Sequence, residues 1–519
     1  MTTKTSKKAP VQERILFAAF EAVPFIKTGG LGDVAGSLPA ALCRMGADVR
    51  LIMPKFAAIP QKFKDQMVHV ADFYMPLGWR NQYVGIETIT YNGVIVYFID
   101  NEYYFNRDQA YGYFDDGERV AYFSRAVLEA LKYISFSPQV IHMNDWHTAL
   151  IPAFLKGKYS QEIMMPAPDE VEGRPFSELR TVFTVHNLKF QGMFSGYMIG
   201  DVLGFSQIEA ENLGLVQWDS VNFMRSALCF ADIITTVSPT YAEEVCTEFF
   251  GERAQDIFNS RKSVLHGILN GIDTTALDPE TDPMIPFHFC AEDCHPKSEN
   301  GETIVDELRI PEGKALCKET LQKKLGLAVE PDKPIFSIIS RLTDQKGLDL
   351  VFAIIDEFME ADVQFIVLGV GEQQYEDKFR ALSEANPEKF ASCLYFDEPL
   401  SHQIYAGSDF ILVPSLFEPC GLTQIIAMRY GSLPIVRETG GLKDTVQPYN
   451  KYDGTGTGFS FANYNAHELL FTMKDACDLY YNNKPAYTKL VSQAFDQDFS
   501  WNVSANKYLE LYRSLIYRS

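Results

Sequence analysis

The chain has 519 residues, 46% of them hydrophobic and 22% charged, which is typical of a globular protein too long for a single core. Its formal net charge of −22 excludes nucleic acids and anionic membrane surfaces as natural partners, because both repel a strongly acidic protein. No apolar stretch approaches the roughly 20 residues that span a bilayer.

The start of the chain and the cysteines both favour a cytoplasmic protein. Residues 1–12 are polar, with no apolar segment after the lysines, so we expect a disordered tail rather than a signal peptide. The nine cysteines are an odd number and are scattered along the chain, which favours reduced thiols.

A glycine-rich turn follows the first predicted strand. The buried strand is predicted over 14–20, the turn over 29–32 (GGLG), and a helix from about residue 34 to 45. Strand, glycine-rich turn and helix are the usual opening of a nucleotide-binding fold, since glycines let a ligand approach the backbone. Lys27 adds a positive charge, although a surface lysine beside an ordinary turn would give the same pattern.

The next segments alternate in hydrophobicity and are followed by an aromatic stretch. A meander is predicted over 68–74, 83–91 and 93–100. Residues 103–123 are rich in aromatic side chains. Most aromatic residues belong to cores, but Tyr111 is our candidate for stacking on a sugar ring.

Two further predicted strands, 139–143 and 181–185, end in polar residues. The first is followed by 144–148 (NDWHT), which contains Asp145, and the second by His186 and Asn187. A lone histidine is usually structural. Two polar clusters at consecutive strand ends, however, indicate one shared crevice, because ligands of open α/β sheets bind beyond these ends.

The second half repeats the pattern with cations. A buried strand is predicted over 335–339, and Arg341 and Lys346 lie in the turn where it ends. Two cations at the carboxyl end of a parallel strand are suited to a diphosphate. Strands and helices alternate from there on, including a strand over 393–396 and a final amphipathic helix over about 502–517.

A carboxylate lies at another strand end of this half. The strand is predicted over 410–413, and Glu418 and Gly421 precede a predicted helix over 423–430. A helix N-terminus offers free N–H groups to an anion. Cations for a phosphate and a carboxylate for sugar hydroxyls together predict a sugar-nucleotide site.

Two irregular segments separate the halves. Residues 277–283 are polar and proline-rich and predict a linker. Residues 284–313 contain two histidines and two cysteines at a spacing unlike that of zinc sites, so we predict an exposed insertion without a metal: His288, Cys290, Cys294 and His295. The pattern as a whole predicts two facing, doubly wound α/β domains with a deep cleft between them, residues 13–270 and 284–495 joined by a hinge at 271–283.

The ordered set of motifs is specific enough to identify a resemblance. Over nearly its whole length the chain resembles bacterial glycogen synthases and plant starch synthases. The segments that carry the resemblance are 27–34 (KTGGLGDV), 111–119 (YGYFDDGER), 144–147 (NDWH), 184–187 (TVHN), 270–273 (NGID), 340–347 (SRLTDQKG), 418–424 (EPCGLTQ) and 438–444 (ETGGLKD).

The resemblance implies a glycosyltransferase of the GT-B type, built from two Rossmann-like domains. It implies ADP-glucose as donor, the non-reducing end of an α-1,4-glucan such as glycogen as acceptor, and retention at the anomeric carbon. We expect no cofactor and no metal, because Arg341 and Lys346 can supply the positive charge that a magnesium ion supplies elsewhere. It also implies that the C-terminal segment, 496–519, crosses back to the N-terminal domain.

The resemblance further assigns roles to individual residues. Lys27 with the turn 29–32 would hold the donor phosphate, Arg341 and Lys346 would neutralise the leaving diphosphate, and Glu418 would hold glucose hydroxyls. Asp145 and His186 would line the reacting side. Phe396 would lie against the adenine. The other predicted substrate-binding residues are Glu21, Gly29, Gly30, Gly32, Asp33, Tyr111, Asn187, Cys420, Gly421, Leu422, Thr439, Gly440 and Gly441. The chain departs from relatives at Phe396, often tyrosine, at Leu277, usually tryptophan, and in the longer 284–313.

Alternatives remain open at this point. Another transferase of the same architecture, or a phosphorylase with a lysine for pyridoxal phosphate, would share the fold. A non-catalytic glucan-binding scaffold would be expected to have lost Lys27, Arg341, Lys346 or Glu418, and all four are present. Residue chemistry alone does not distinguish ADP-glucose from UDP-glucose, and it does not give the oligomeric state.

Overall fold

The computed structural model describes residues 12–295 and 308–517. The predicted tail 1–12 lies outside the described residues except for Gln12. Residues 296–307 of the predicted insertion 284–313 also lie outside them. The chain forms two compact units. The first comprises residues up to Val237, Ala242–Gly271 and the segment from Trp501, and the second comprises Ser238–Tyr241 and Ile272–Ser500.

The first unit contains a large mixed sheet and a small antiparallel one. The large sheet has the order β12-β11-β7-β6-β1-β2-β5-β4-β3, and the small sheet has the order β8-β10-β9. The strands are β1 (Arg14–Ala18), β2 (Asp48–Pro54), β3 (Val68–Leu77), β4 (Arg80–Tyr91), β5 (Val94–Asp100), β6 (Val140–Asn144), β7 (Arg180–Val185), β8 (Met193–Ser195), β9 (Val216–Gln217), β10 (Ser220–Asn222), β11 (Ile233–Thr236) and β12 (Leu265–Gly267).

Buried strands at the centre of the large sheet are parallel, and the meander extends it at one edge. Strand β1 pairs in parallel with β2 and β6, and its four residues from Ile15 onward are fully buried, as expected for a strand covered on both faces. Strands β3, β4 and β5 are antiparallel neighbours, which confirms the predicted meander. Asn92 and Gly93 both have positive φ angles, 48° and 79°, so they form the tight turn that joins β4 to β5.

Helices lie between these strands along the chain. They are α1 (Gly30–Arg44), α2 (Gln61–Lys64), α3 (Glu102–Phe105), α4 (Asp116–Ala130), α5 (Ile151–Phe154), α6 (Met198–Asp201), α7 (Gln207–Asn212), α8 (Phe223–Phe230), α9 (Pro239–Glu244) and α10 (Gln255–Ser260). Helix α1 begins four residues before the predicted start. The buried Glu21 carboxylate accepts hydrogen bonds from the N–H groups of Thr28 and Gly29 and so fixes the start of the helix, a contact that hydrophobic periodicity does not reveal.

The second unit is a parallel sheet with the order β15-β14-β13-β16-β17-β18. Its helices are α11 (Glu312–Leu325), α12 (Leu348–Phe358), α13 (Gln373–Ala385), α14 (Glu398–Gly407), α15 (Thr423–Arg429), α16 (Gly440–Thr445), α17 (Ala466–Asn482) and α18 (Lys484–Phe495). Its strands are β13 (Ile335–Ile339), β14 (Gln364–Leu368), β15 (Phe390–Cys393), β16 (Phe410–Val413), β17 (Leu433–Arg437) and β18 (Phe459–Phe461). The predicted strands 335–339 and 410–413 are confirmed.

Two features of this unit differ from the sequence-based prediction. The strand predicted over 393–396 lies three residues earlier, because Tyr395 and Phe396 leave the sheet before Asp397 caps α14 through its bond from the Leu400 N–H. Helix α11 is not predicted by the hydrophobic pattern. Its buried face carries lysines: the Lys314 ammonium donates to the carbonyls of Ala406, Ser408 and Tyr430 and to the Ser432 hydroxyl, so an apolar stripe is missing.

The last helix, α19 (Trp501–Ile516), belongs to the first unit. The Tyr512 hydroxyl lies 2.7 Å from Nδ1 of His142 in β6, and Arg513 Nε donates to Glu13 at 2.7 Å. No helix in residues 12–295 and 308–517 is long and apolar enough to cross a membrane. All nine cysteines are free thiols.

Candidate active site

Glu21 holds the glycine-rich turn of the first unit. This carboxylate is buried, and both its oxygens accept N–H groups of the turn, from Thr28 and Gly29. Burial raises the pKa of Glu21 above its ordinary value. Lys27 Nζ lies 2.8 Å from Asp33 Oδ1, and the lysine side chain is 52% exposed. The predicted phosphate-binding lysine is thus accessible and already paired with a neighbouring predicted residue.

Asp145 has a strained backbone beyond the end of β6. Its φ of 56° and ψ of −178° are rarely adopted by residues other than glycine. Its Oδ1 accepts the His186 N–H at 2.9 Å, while Oδ2 has no hydrogen bond to a described residue. Burial raises the pKa of Asp145 to about 7, against these backbone bonds, and the negative charge of Glu21 raises it further. The structure therefore brings Glu21, Asp145 and His186 together, with one carboxylate oxygen available.

His186 is a neutral imidazole with a defined tautomer. Burial lowers its pKa to about 3. Its Nε2 lies 3.0 Å from the side-chain oxygen of Asn144, whose NH₂ group donates to the carbonyl of Ala18. Because that amide oxygen can only accept, Nε2 carries the proton and Nδ1 is an acceptor. His186 can therefore receive a hydrogen bond from a hydroxyl group of a substrate.

His147 lies beside Tyr111 and is not among the site residues predicted from the sequence. Its ring lies near Phe20, Tyr111 and Trp146, with centroids 5.0, 5.1 and 4.2 Å away. Burial lowers its pKa to about 3, and neither ring nitrogen has a hydrogen-bond partner among the described residues. A buried imidazole without partners is costly unless a ligand supplies them. The motif 144–147 (NDWH) contains this histidine. The motif does not reveal that its ring nitrogens have no hydrogen-bond partner, because this depends on residues that are distant in sequence.

The loop that carries Tyr111 is fastened by buried charges. Asp116 Oδ2 accepts the N–H groups of Gly112 and Tyr113 at 2.6 and 3.0 Å, and its Oδ1 lies 2.6 Å from Nη1 of Arg119. Arg119 is fully buried. Asp116 thus fixes the backbone next to Tyr111, whose ring lies beside that of His147.

In the second unit, Lys346 and Glu418 form an ion pair. Lys346 Nζ lies 2.7 Å from Glu418 Oε2, and the same oxygen accepts the Ser415 hydroxyl at 3.0 Å. The two side chains are 19% and 10% exposed. Glu418 Oε1 has no hydrogen bond to a described residue. The carboxylate is therefore fixed through one oxygen and presents the other, as a group for binding a hydroxyl must.

The two cations predicted for a diphosphate differ in their surroundings. Arg341 follows β13 and is exposed, and its guanidinium has no hydrogen bond or ion pair with a described residue. The loop of Lys346 is locked against the loop before Glu418: Leu416 N–H donates to Gln345 at 2.9 Å. Gly347 has a φ of 69°, and a Cβ there would lie 2.0 Å from the Pro414 carbonyl oxygen.

The second glycine turn packs against the same loop. Gly440 has a φ of 45°, and a Cβ there would lie 2.1 Å from the Glu418 carbonyl oxygen. A Cβ at Gly441 would lie 2.0 Å from that of Cys420. Thr439 is fully buried beside them. Only glycine allows this approach, so the segments that contain Gly421, Leu422, Gly440 and Gly441 form one block around Glu418.

Phe396 and the segment that contains Cys290 and Cys294 differ in their surroundings from the block around Glu418. Phe396 is 86% exposed, so its ring is accessible for stacking. Cys294 is buried in the hydrophobic core with Ile285 and Phe289, so the prediction that 284–313 is exposed is wrong for these residues. His295 Nε2 lies 3.3 Å from the Ser492 hydroxyl. Within the part of the chain that the structure describes, no three His, Cys, Asp or Glu side chains are grouped to hold a metal ion.

Comparisons with known proteins agree with the division of the chain into two units. A family model described as starch synthase catalytic domain matches residues 14–260, and one described as glycosyl transferases group 1 matches residues 319–494. Glycogen synthase of Desulforamulus reducens is 48% identical over 505 residues, covering 97% of this chain and 99% of the relative. That of Lachnospira eligens is 45% identical over 504 residues, covering 97% and 100%.

Solved structures give the same result. The catalytic domain of starch synthase IV from Arabidopsis thaliana, bound to ADP and acarbose, superimposes with a TM-score of 0.84 at 33% identity, covering 98% of this chain and all of that domain. Sucrose-phosphate synthase from Thermosynechococcus elongatus has a TM-score of 0.58 at 16% identity, covering 98% and 100%, which is a likeness of fold alone.

Proposed function

Because the chain belongs to the glycogen synthase family of glycosyltransferases, we propose that it transfers glucose from ADP-glucose to the non-reducing end of an α-1,4-glucan, with retention at the anomeric carbon. The observation that carries the proposal is identity of 45–48% over practically the whole length of two glycogen synthases. The predicted catalytic residues follow strands of both units: Asp145 and His186 follow β6 and β7, and Arg341, Lys346 and Glu418 follow β13 and β16.

The second unit supplies the donor-binding groups in this proposal. ADP is supported by the Arabidopsis starch synthase domain, which was solved with ADP bound. Lys346 and the exposed Arg341 would neutralise the diphosphate as it leaves, and electrostatic stabilisation of this kind usually contributes most to lowering such a barrier. Glu418 would bind a glucose hydroxyl through Oε1. Phe396 would stack on the adenine.

The first unit supplies the acceptor-binding groups. Asp145 Oδ2 and His186 Nδ1 are two acceptors for sugar hydroxyls, and the unpartnered nitrogens of His147 are two further polar positions. Tyr111 offers a ring beside them. A neutral glucan is also the polymer that a chain with a net charge of −22 does not repel.

Retention is explained without an enzyme nucleophile. We propose that the acceptor hydroxyl attacks from the face that the diphosphate leaves, and that a leaving phosphate oxygen takes its proton. The protein then contributes position and charge. The alternative is a double displacement through Asp145, and it would leave a glucosyl ester on this residue. Mass spectrometry of enzyme incubated with ADP-glucose alone distinguishes the two, since only the double displacement adds a hexose.

We also propose that no divalent ion takes part, because Arg341 and Lys346 supply the positive charge that a magnesium ion supplies elsewhere. Transfer should therefore be unchanged by a chelator. A cytoplasmic location remains part of the proposal and agrees with the nine free thiols.

The direct test is transfer of labelled glucose into glycogen from ADP-glucose and, in parallel, from UDP-glucose. We expect ADP-glucose to be the better donor, and we expect an exo-acting α-1,4-glucan hydrolase to release the label. A phosphorylase would instead incorporate label from glucose 1-phosphate, so that donor is the matched control. Incorporation from glucose 1-phosphate alone would contradict the proposal.

A further inference from the structure

An exposed tryptophan of the first unit has a strained backbone. Trp218 lies in the two-residue turn between β9 and β10, with a φ of 53°. A left-handed backbone is a true outlier for a bulky residue and is more readily adopted by glycine or asparagine. The side chain is nevertheless 65% exposed, so burial in a core does not compensate for the strain.

A second strained residue faces this ring. Arg253 has a φ of 67°, follows Glu252 with a φ of 45°, and places its guanidinium carbon 5.0 Å from the centre of the Trp218 ring. Side-chain amides hold the two loops together. Gln191 Nε2 donates to the Glu252 carbonyl at 2.9 Å, and the buried Asn222 donates to Gln191 at 2.6 Å. We call Trp218 and Arg253 the Trp218 platform.

The Trp218 platform is connected to the residues proposed to bind the acceptor, Asp145, His147 and His186. Gln191 lies four residues after Asn187, and next to it Gly192 has a φ of 68°. A Cβ at Gly192 would lie 2.6 Å from Cε3 of Trp146, the neighbour of Asp145. The segment that anchors the platform therefore rests on the residue between Asp145 and His147.

We propose that the Trp218 platform binds glucose units of the acceptor chain at a distance from its reacting end. This inference rests on the proposed function. An exposed ring matches the apolar C–H face of a glucose unit, and the guanidinium beside it donates to hydroxyls. Phosphate-bearing polymers are disfavoured by the net charge of −22, whereas a neutral glucan is not. Strain kept at an exposed position indicates a function that requires the side chain.

The experiment compares W218N with a matched control, W79N. Trp79 is also exposed, at 76%, also belongs to the first unit, and also lies under an arginine, with Arg80 Cζ 4.7 Å from its ring. It differs in that its indole N–H donates to Asp201 and its φ is not positive. Asparagine tolerates a positive φ, so W218N should retain or raise the melting temperature of the parent.

We expect W218N to raise the KM for glycogen about fivefold to tenfold and to leave the KM for maltotriose unchanged, because the short acceptor does not reach the platform. In native gels containing glycogen, without any donor, W218N should migrate faster than the parent and W79N should migrate as the parent does. An unchanged glycogen KM, an equal rise for both acceptors, or an equal effect of W79N would overturn the proposal. Migration in the gel does not depend on glucose transfer. If the parent were inactive with ADP-glucose and W218N still migrated faster than the parent, the proposed function would be contradicted, but binding of glucan by the Trp218 platform would not.

Discussion

Lys346 and Glu418 are 72 residues apart in sequence and form an ion pair of 2.7 Å in the second unit. The cation predicted for the leaving diphosphate therefore also fixes the carboxylate predicted for the glucose hydroxyls. Both side chains are largely buried, so each depends on the other for its conformation. Arg341, by contrast, is exposed and depends on no described side chain. Substitutions of the two cations should consequently have different effects on stability.

Arg341→Ala should lower turnover about a hundredfold and leave the melting temperature unchanged. The guanidinium supplies charge stabilisation to the leaving diphosphate, but it makes no contact that supports the fold. Initial rates at saturating ADP-glucose and thermal unfolding of the same preparation check both parts. Turnover equal to that of the parent would remove Arg341 from the site.

Lys346→Ala should lower turnover by about the same factor and should also cost about 1–3 kcal/mol of stability, because it leaves Glu418 largely buried without its cation. Denaturant unfolding measures the second effect. The control is Lys262→Ala, which breaks an exposed pair with Glu243 and should cost less than about 0.5 kcal/mol. Equal stability losses in the two variants would show that the Lys346–Glu418 pair does not support the fold.

Asp145→Asn should be nearly inactive and, at pH 8, more stable than the parent. The pKa of Asp145 is raised to about 7 by burial, so the neutral form is favoured in the folded state. Its contribution to stability is fully present below pH 3.8 and is lost as the pH rises towards 7. Asparagine keeps the acceptor for the His186 N–H and does not ionise.

The difference in melting temperature between D145N and the parent should therefore grow from pH 4 to pH 8, reaching about 2–5 °C. Scanning fluorimetry of both proteins across this range checks it. A difference in melting temperature that is the same at every pH would mean that Asp145 ionises with its ordinary pKa.

Three buried histidines should make the protein less stable as the pH falls below 6.5, a contribution opposite in sign to that of Asp145. Burial lowers the pKa values of His142, His147 and His186 to about 3, so between pH 6.5 and 3 the unfolded chain binds protons that the folded chain does not. Each such histidine contributes a slope of about 1.4 kcal/mol per pH unit. His142→Gln should reduce the slope of unfolding free energy against pH by about one proton.

The control for this prediction is His69, which is exposed. Its side chain is 62% accessible, so His69→Gln should leave the slope unchanged. Denaturant unfolding at pH 5, 6 and 7 gives the slopes. A slope for His142→Gln equal to that of the parent would show that His142 becomes protonated in the folded state.

Hydrophobic patterning is sufficient to predict most of the architecture. The buried strands β13 and β16 are predicted over their full lengths, and the meander of β3, β4 and β5 is predicted with its turn, because apolar runs and alternation report burial directly. Strand ends then locate the polar clusters that contain Asp145, His186, Arg341 and Glu418, since parallel strands in an α/β sheet share an edge.

The errors occur where long-range contacts override the local pattern. Helix α11 escapes prediction because Lys314 and Lys318 lie on its buried face, where Lys318 pairs with Asp409 at 2.7 Å. The strand predicted over 393–396 is wrong because Tyr395 and Phe396, although aromatic, are exposed.

Local sequence patterns are thus enough to specify the fold class, the order of most elements and the strand-end clusters that contain Asp145, His186, Arg341 and Glu418, because burial and backbone preference are encoded locally, whereas the roles of the other candidate residues come from the family resemblance. Tertiary packing establishes which of those residues act on each other: the pairing of Lys346 with Glu418, the raised pKa of Asp145, the isolation of His147 and the contact of Arg253 with Trp218. Each of these depends on side chains that are distant in sequence, and on the exclusion of water around them, which no local pattern specifies.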